Sequence, residues 1–197
     1  MALNLPNGLT LARIIMIPVF ALVFFLPGTW SGVVAAGIFT LAAVTDWLDG
    51  WLARRLEQTS AFGAFLDPVA DKLMVAVALV ALVAANPSPW FALPAAVIIG
   101  REIAVSALRE WMAELGKRAN VAVSLIGKFK TAAQMVAIIL LVLDTPVAGL
   151  PVSMIGLVLL YVATVLTLWS MIVYLRAAWV VLVEEEGDST PPGGSSA

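Results

Sequence analysis

The chain has 197 residues, 62% of them hydrophobic and only 12% charged, and its mean hydropathy of +1.02 exceeds what a water-soluble domain of this size hides in a core. Cysteine and histidine are both absent, which excludes a disulfide framework, thiolate metal sites and cysteine or histidine catalysis, and leaves carboxylates, lysines and hydroxyls to do any chemistry. A metal held by such donors is a hard, oxygen-ligated cation such as Mg2+ or Mn2+ rather than zinc.

Six apolar runs, at 9–27, 31–54, 62–85, 89–112, 124–144 and 151–182, approach or exceed the roughly 20 helical residues that cross about 30 Å of hydrocarbon. The expectation is an all-α, polytopic integral membrane protein with six transmembrane helices. Turn chemistry marks the breaks: PGT at 27–29, NPSP at 86–89 and DTPVAGLP at 144–151. The first run has no basic segment ahead of it and no small-residue cleavage site, so it reads as a span and not as a removable signal peptide. From Glu184 the sequence EEEGDSTPPGGSSA is acidic and then rich in Pro, Gly and Ser. It is expected to be a disordered acidic tail (184–197) behind a single membrane domain (1–183).

The loops near 28–30, 86–88 and 145–150 contain no Lys or Arg, while all 11 basic residues fall toward the opposite ends of the spans. Basic residues are retained on the cytoplasmic side, so both termini and the charge-dense half are expected to be cytoplasmic.

That half holds four aspartates. Asp46 and Asp49 lie within one face of the second run, and Asp67 and Asp71, spaced i, i+4, on one face of the third. The link RLEQTSA at 55–61 makes these two runs antiparallel neighbours, so the four carboxylates converge. An ionised Asp at membrane depth costs on the order of 2.5–3.5 kcal/mol, and a cation is needed among them. Gly50 and Ala53 fall between the aspartates, and Gly63 is one turn before Asp67, where small residues let a ligand approach the backbone. Arg54 adds a fixed cation suited to phosphate. Carboxylates for metal, small residues for access and an arginine for phosphate describe a pyrophosphate site. The competing reading makes the small residues helix-packing contacts and pairs the aspartates with Arg54, Arg55 and Lys72, which does not explain four carboxylates aimed at one point.

A second basic group suits a second anion. Arg101 and Arg109 lie eight apart on the fourth run, within about 80° of each other, and Lys128 and Lys130 begin the fifth. Glu102 and Glu110 are expected to point elsewhere. Lys117, Arg118 and Arg176 read as snorkelling anchors. A phosphate-bearing acceptor fits the group. Two divalent ions on shared carboxylates neutralise a pyrophosphate, and a nearby carboxylate accepts the proton of an incoming hydroxyl.

The pattern Asp46-x-x-Asp49-Gly50-x-x-Ala53-Arg54, then eight residues, then Gly63-x-x-x-Asp67-x-x-x-Asp71 fixes eight residues over 26 positions. It resembles the signature of the CDP-alcohol phosphotransferases. The likeness continues through NLPNGLTLARI, REIAVSALREWMAELGKR and VAVSLIGKFKTAAQM and leaves only the tail after about residue 183 outside. The resemblance implies a six-span fold, usually a homodimer, with a cytoplasm-facing polar cavity. It implies Asp46, Asp49, Asp67 and Asp71 as ligands of two divalent ions, Asp71 also as the base, and Gly50, Ala53, Arg54 and Gly63 against the nucleotide and pyrophosphate of CDP-diacylglycerol. Asn7 and Thr10 resemble positions near the cytidine, although both residue types also cap helices.

The implied activity transfers a phosphatidyl group from CDP-diacylglycerol to an alcohol, releasing CMP, in phospholipid biosynthesis, with membrane lipid as partner and no nucleic acid. Glycerol 3-phosphate is the acceptor that both the likeness and Arg101, Arg109, Lys128 and Lys130 favour. An inositol-phosphate or cardiolipin product is the alternative within the family. A divalent-cation transporter is the alternative outside it, weakened by an outer half that offers little beyond Asp144 to continue an ion path.

Overall fold

A computed structural model describes residues 5–56, 61–114, 125–146 and 149–188. For some residues within the helices, including Asn7, Asp49, Gly50, Ala53, Arg54 and Lys128, the side chains lie outside this description. Each apolar run becomes one helix: α1 Leu5–Phe24, α2 Ser31–Leu56, α3 Ala61–Ala85, α4 Pro89–Glu114, α5 Leu125–Leu143 and α6 Val152–Asp188. Four contain stretches long and apolar enough to cross a membrane: Ser31–Leu48, Phe65–Ala85, Pro89–Glu114 and Val152–Trp179. The apolar stretches of α1 and α5, Gly8–Phe24 and Phe129–Leu143, are shorter than the roughly 20 residues a perpendicular span requires. The described fold is therefore all-helical with four candidate spans. α6 also continues to Asp188, past the Glu184 boundary expected for the tail, while residues 189–197 lie outside the description.

The helices close into a ring in the order α1, α2, α5, α6, α4, α3, back to α1. This corrects one expectation. α2 and α3 were to be immediate partners through their short link, yet they touch each other only slightly, and both pack on α1. A short connection fixes antiparallel direction but not which faces meet. Here α1 carries the polar groups that both helices need.

The core runs through the ring as Phe20, Phe39, Leu79, Leu82, Ile98, Ile138 and Leu160, all at most 2% exposed. Phe20 packs at 5.9 Å from the Phe24 ring and 6.0 Å from that of Phe39. The circumference is as apolar as the core. Leu22, Trp47, Trp90, Phe129 and Trp179 are all exposed, while Thr10 and Arg13 are fully buried. Water does not tolerate so much exposed apolar surface, whereas lipid does, provided backbone groups bond within helices.

Helix backbones approach closely at the ends that carry no Lys or Arg. A Cβ on Gly32 of α2 would stand 2.9 Å from the Val142 carbonyl oxygen of α5, and one on Gly156 of α6 would stand 2.9 Å from Leu141 Cγ. Small residues are what let helix backbones approach in lipid. Asp144 ends α5 with φ 42°, a left-handed conformation that Asp tolerates better than most side chains, and Ser153 donates to its carboxylate.

Candidate active site

Thr10 and Arg13, spaced i, i+3, share one face of α1, and the ring turns that face toward the aspartates. Arg13, 1% exposed, donates from Nη1 to Asp46 Oδ1 at 2.7 Å. The Thr10 hydroxyl donates to Asp67 Oδ1. Thr10 sits well inside α1, which begins at Leu5, so the capping reading does not apply to it. Asp46 lies within Coulombic reach of Asp67, and Asp71 within reach of Asp46 and Arg13. Gly63 is buried one turn before Asp67. The side chains of Asp49, Gly50, Ala53, Arg54 and Asn7 lie outside the described residues.

Among the described residues, no three carboxylates stand close enough to hold an ion. The donor chemistry nonetheless fits a hard divalent cation. Asp46, Asp67 and Asp71 offer only oxygen, the donor a hard divalent cation takes, and Asp46 and Asp71 both lie within reach of the buried Arg13 guanidinium. Asp46 and Asp67 would have to share or exchange their Arg13 and Thr10 contacts.

Asp71 belongs to a second neighbourhood as well. On one side it borders a small void beside Arg13, Phe39 and Met74. On the other it lines a cavity of 170 Å3 with Lys72, Arg101, Glu102, Lys130 and Gln134. There Lys130, 4% exposed, places Nζ 3.0 Å from Glu102 Oε1. Arg101 Nη1 donates to the same oxygen, and Arg101 Nη2 donates to Ser170 Oγ of α6 at 3.1 Å. Lys72 donates to the Ser106 hydroxyl, tying α3 to α4.

Two expectations are corrected here. Glu102 does not point away from Arg101. Adjacent helical positions diverge by about 100°, but both side chains are long enough to close that gap, and a lone guanidinium at this depth is costly. Arg109 does not join Arg101. It is exposed, with its guanidinium 6.0 Å from the centre of the Tyr174 ring, and it does not line the cavity. Eight residues give a similar direction but also a rise of about 12 Å. Lys128 lies outside the described side chains, so of the four basic residues the structure brings Arg101 and Lys130 together.

The functional candidates that sequence reasoning missed are Arg13, Glu102 and Gln134. Arg13 was counted among the basic residues at span ends, although its i, i+3 spacing from Thr10 inside an apolar run signals a shared polar face. Glu102 was set aside as misdirected. Gln134, one turn after Lys130, was readable as the only amide in the fifth run.

Comparison with known proteins agrees with the signature. The profile of the CDP-alcohol phosphatidyltransferase family matches residues 3–183. The chain is 58% identical over 185 residues to the CDP-diacylglycerol–glycerol-3-phosphate 3-phosphatidyltransferase of Escherichia coli, covering 94% of this chain and 100% of that protein. It is 59% identical over 180 residues to the protein of the same name from Sodalis glossinidius, covering 90% and 96% respectively. The Shigella flexneri protein of that name is 58% identical, again over 94% of this chain and all of its own length. With every signature position from Asp46 to Asp71 filled and the match spanning nearly all of the sequence, the protein belongs to the CDP-alcohol phosphatidyltransferase family.

Proposed function

We propose that the protein transfers the phosphatidyl group of CDP-diacylglycerol to sn-glycerol 3-phosphate, giving phosphatidylglycerophosphate and CMP, in the synthesis of anionic phospholipid. The relatives named for this reaction support the reading, and one observation carries it to the residues: Asp71 stands between the carboxylate group and a cavity bearing Arg101 and Lys130. In this reading the acceptor's phosphate sits against Arg101 and Lys130. Asp71 takes the proton of its terminal hydroxyl. The freed oxygen bonds to the phosphorus that carries diacylglycerol, the phosphorus–oxygen bond to CMP breaks, and CMP leaves with that electron pair. Divalent metal, Mg2+ or Mn2+ and in two copies, would be held by Asp46, Asp49, Asp67 and Asp71 and would supply charge neutralisation at the pyrophosphate. Gly50, Ala53, Arg54 and Gly63 would lie against the nucleotide, with Asn7 and Thr10 on its cytidine side. Arg13 and Thr10 hold Asp46 and Asp67 in place, and Glu102 keeps Arg101 and Lys130 turned into the cavity.

The same reading places six spans in a bacterial inner membrane, with both termini and the site on the cytoplasmic side and two copies forming a homodimer. The absence of Lys and Arg from the loops near 28–30, 86–88 and 145–150 supports the orientation. Purified protein, given CDP-diacylglycerol and labelled glycerol 3-phosphate with Mg2+, is expected to move label into the lipid phase and release CMP in equal amount. Label that stays aqueous, while inositol phosphate or phosphatidylglycerol is used, would reassign the alcohol. Metal flux into vesicles without CDP-lipid would overturn the transferase reading altogether.

A further inference from the structure

The 170 Å3 cavity beside Asp71 falls below the roughly 300–1,000 Å3 of pockets for drug-sized ligands, so it suits a small polar molecule. Its wall carries two polar atoms with no hydrogen-bond partner among the described residues: Arg101 Nε and Gln134 Oε1. Gln134 is 4% exposed. Burying a carboxamide oxygen without a donor is destabilising, and an apolar side chain would match the surrounding Met135, Ile138 and Leu141 of α5. A buried and unpartnered acceptor beside a cluster of donors points to a ligand that brings its own hydroxyl. The paired atoms are complementary in type. Arg101 Nε has a hydrogen to give, which suits a phosphate oxygen, and Gln134 Oε1 has lone pairs to offer, which suits a hydroxyl. Lys130 and Gln134, spaced i, i+4, face the cavity from one side of α5, so phosphate and hydroxyl would be read by adjacent turns of one helix.

We infer that Gln134 is a specificity-determining residue, whose carboxamide oxygen accepts a hydrogen bond from the secondary hydroxyl of a three-carbon polyol phosphate. The inference rests on the acceptor reading above and adds to it the hydroxyl that does not react. A site with a buried group waiting for a hydroxyl penalises analogues lacking it.

The test compares glycerol 3-phosphate with 3-hydroxypropyl phosphate, which keeps the phosphate and the reacting primary hydroxyl and lacks the secondary one. The parent is expected to favour glycerol 3-phosphate by about 10- to 100-fold in kcat/KM. Gln134→Leu should lose that preference by using glycerol 3-phosphate less well, with 3-hydroxypropyl phosphate held within about threefold of the parent value. Gln134→Met, close to Gln in volume, is the second variant. A parent that uses both acceptors equally overturns the inference, and that result is available even if neither variant folds. Equal loss of both acceptors in the variants also overturns it, because a packing role would act that way. A parent that uses neither acceptor removes the transferase reading itself, an outcome distinct from an active parent that fails to discriminate.

Discussion

The aspartate group and the acceptor cavity meet at Asp71 but handle buried charge in opposite ways. On the aspartate side the described partners come from a third helix, α1: Arg13 bonds Asp46 and lies within reach of Asp71, and Thr10 bonds Asp67. On the cavity side Arg101 and Lys130 share one carboxylate, that of Glu102, and the balancing group is the immediate chain neighbour of one of them. Among the described side chains, carboxylates outnumber cations on the first side, Asp46, Asp67 and Asp71 against Arg13 and Lys72, and cations outnumber carboxylates in the cavity, Lys72, Arg101 and Lys130 against Asp71 and Glu102. In an environment where unbalanced charge is costly, such a pair of opposite deficits reads as two binding sites rather than two structural salt bridges.

Among the described residues Asp71 is the one charged side chain that lines both the void and the cavity, so its change should have the largest effect. Asp71→Asn is expected to lower kcat by on the order of 10²–10⁴ with the fold retained. A variant with near-parental turnover would dissolve the link between the two sites. Arg101→Gln acts on the cavity alone. It should raise the KM for glycerol 3-phosphate by roughly 10- to 100-fold, the equivalent of a charge-assisted hydrogen bond, and leave that for CDP-diacylglycerol nearly unchanged. Arg109→Gln, on the exposed side against Tyr174, should change neither by more than about threefold. Equal effects from the two arginines would mean that the cavity is drawn too small.

Arg13→Met sharpens the aspartate side. It leaves Asp46 without its guanidinium, but the Asp46 side chain is 39% exposed, so the loss should stay near 1–3 kcal/mol, below the 3–5 typical of a fully buried broken pair. A fall in Tm of a few degrees is expected. Added Mg2+ should recover more of it than it adds to the parent, since the ion then has Asp46 to itself. If Mg2+ raises both proteins equally, Asp46 does not contact metal. The smallest effect on activity belongs to Gly32→Ala. Its new methyl meets the Val142 carbonyl at 2.9 Å and should cost about 1–3 kcal/mol of stability, with both KM values unchanged because the uncharged ends take no part in either site.

Much of this was readable from residue order. Apolar runs gave helix limits within a few residues, because a membrane span must be both long and apolar, and the Asp46 and Asp71 spacings placed carboxylates on faces. Ring order was not readable. Loop length restricts direction but not partnership, so nothing in 55–61 announces that α1 stands against both α2 and α3. Residue direction without depth misled at Arg109, and backbone angle without side-chain reach misled at Glu102. Arg13 looked like an anchor, since its partner lies 33 residues away and burial is a property of the closed ring.

The order of the ring also sets a timetable for synthesis. α1, α2 and α3 come first from the ribosome and already contain Thr10, Arg13, Asp46 and Asp67, so the aspartate side can assemble once the chain has passed Asp71. α2's other neighbour is α5, and α4 depends on α6. The face of α2 that carries Gly32 therefore waits for Val142, which at roughly 5–20 residues per second arrives about 3–11 s after α3 is complete. During that interval the half-ring shows its uncovered flank to the bilayer, which makes insertion, rather than chemistry, the stage at which a defect in α5 or α6 would first be felt.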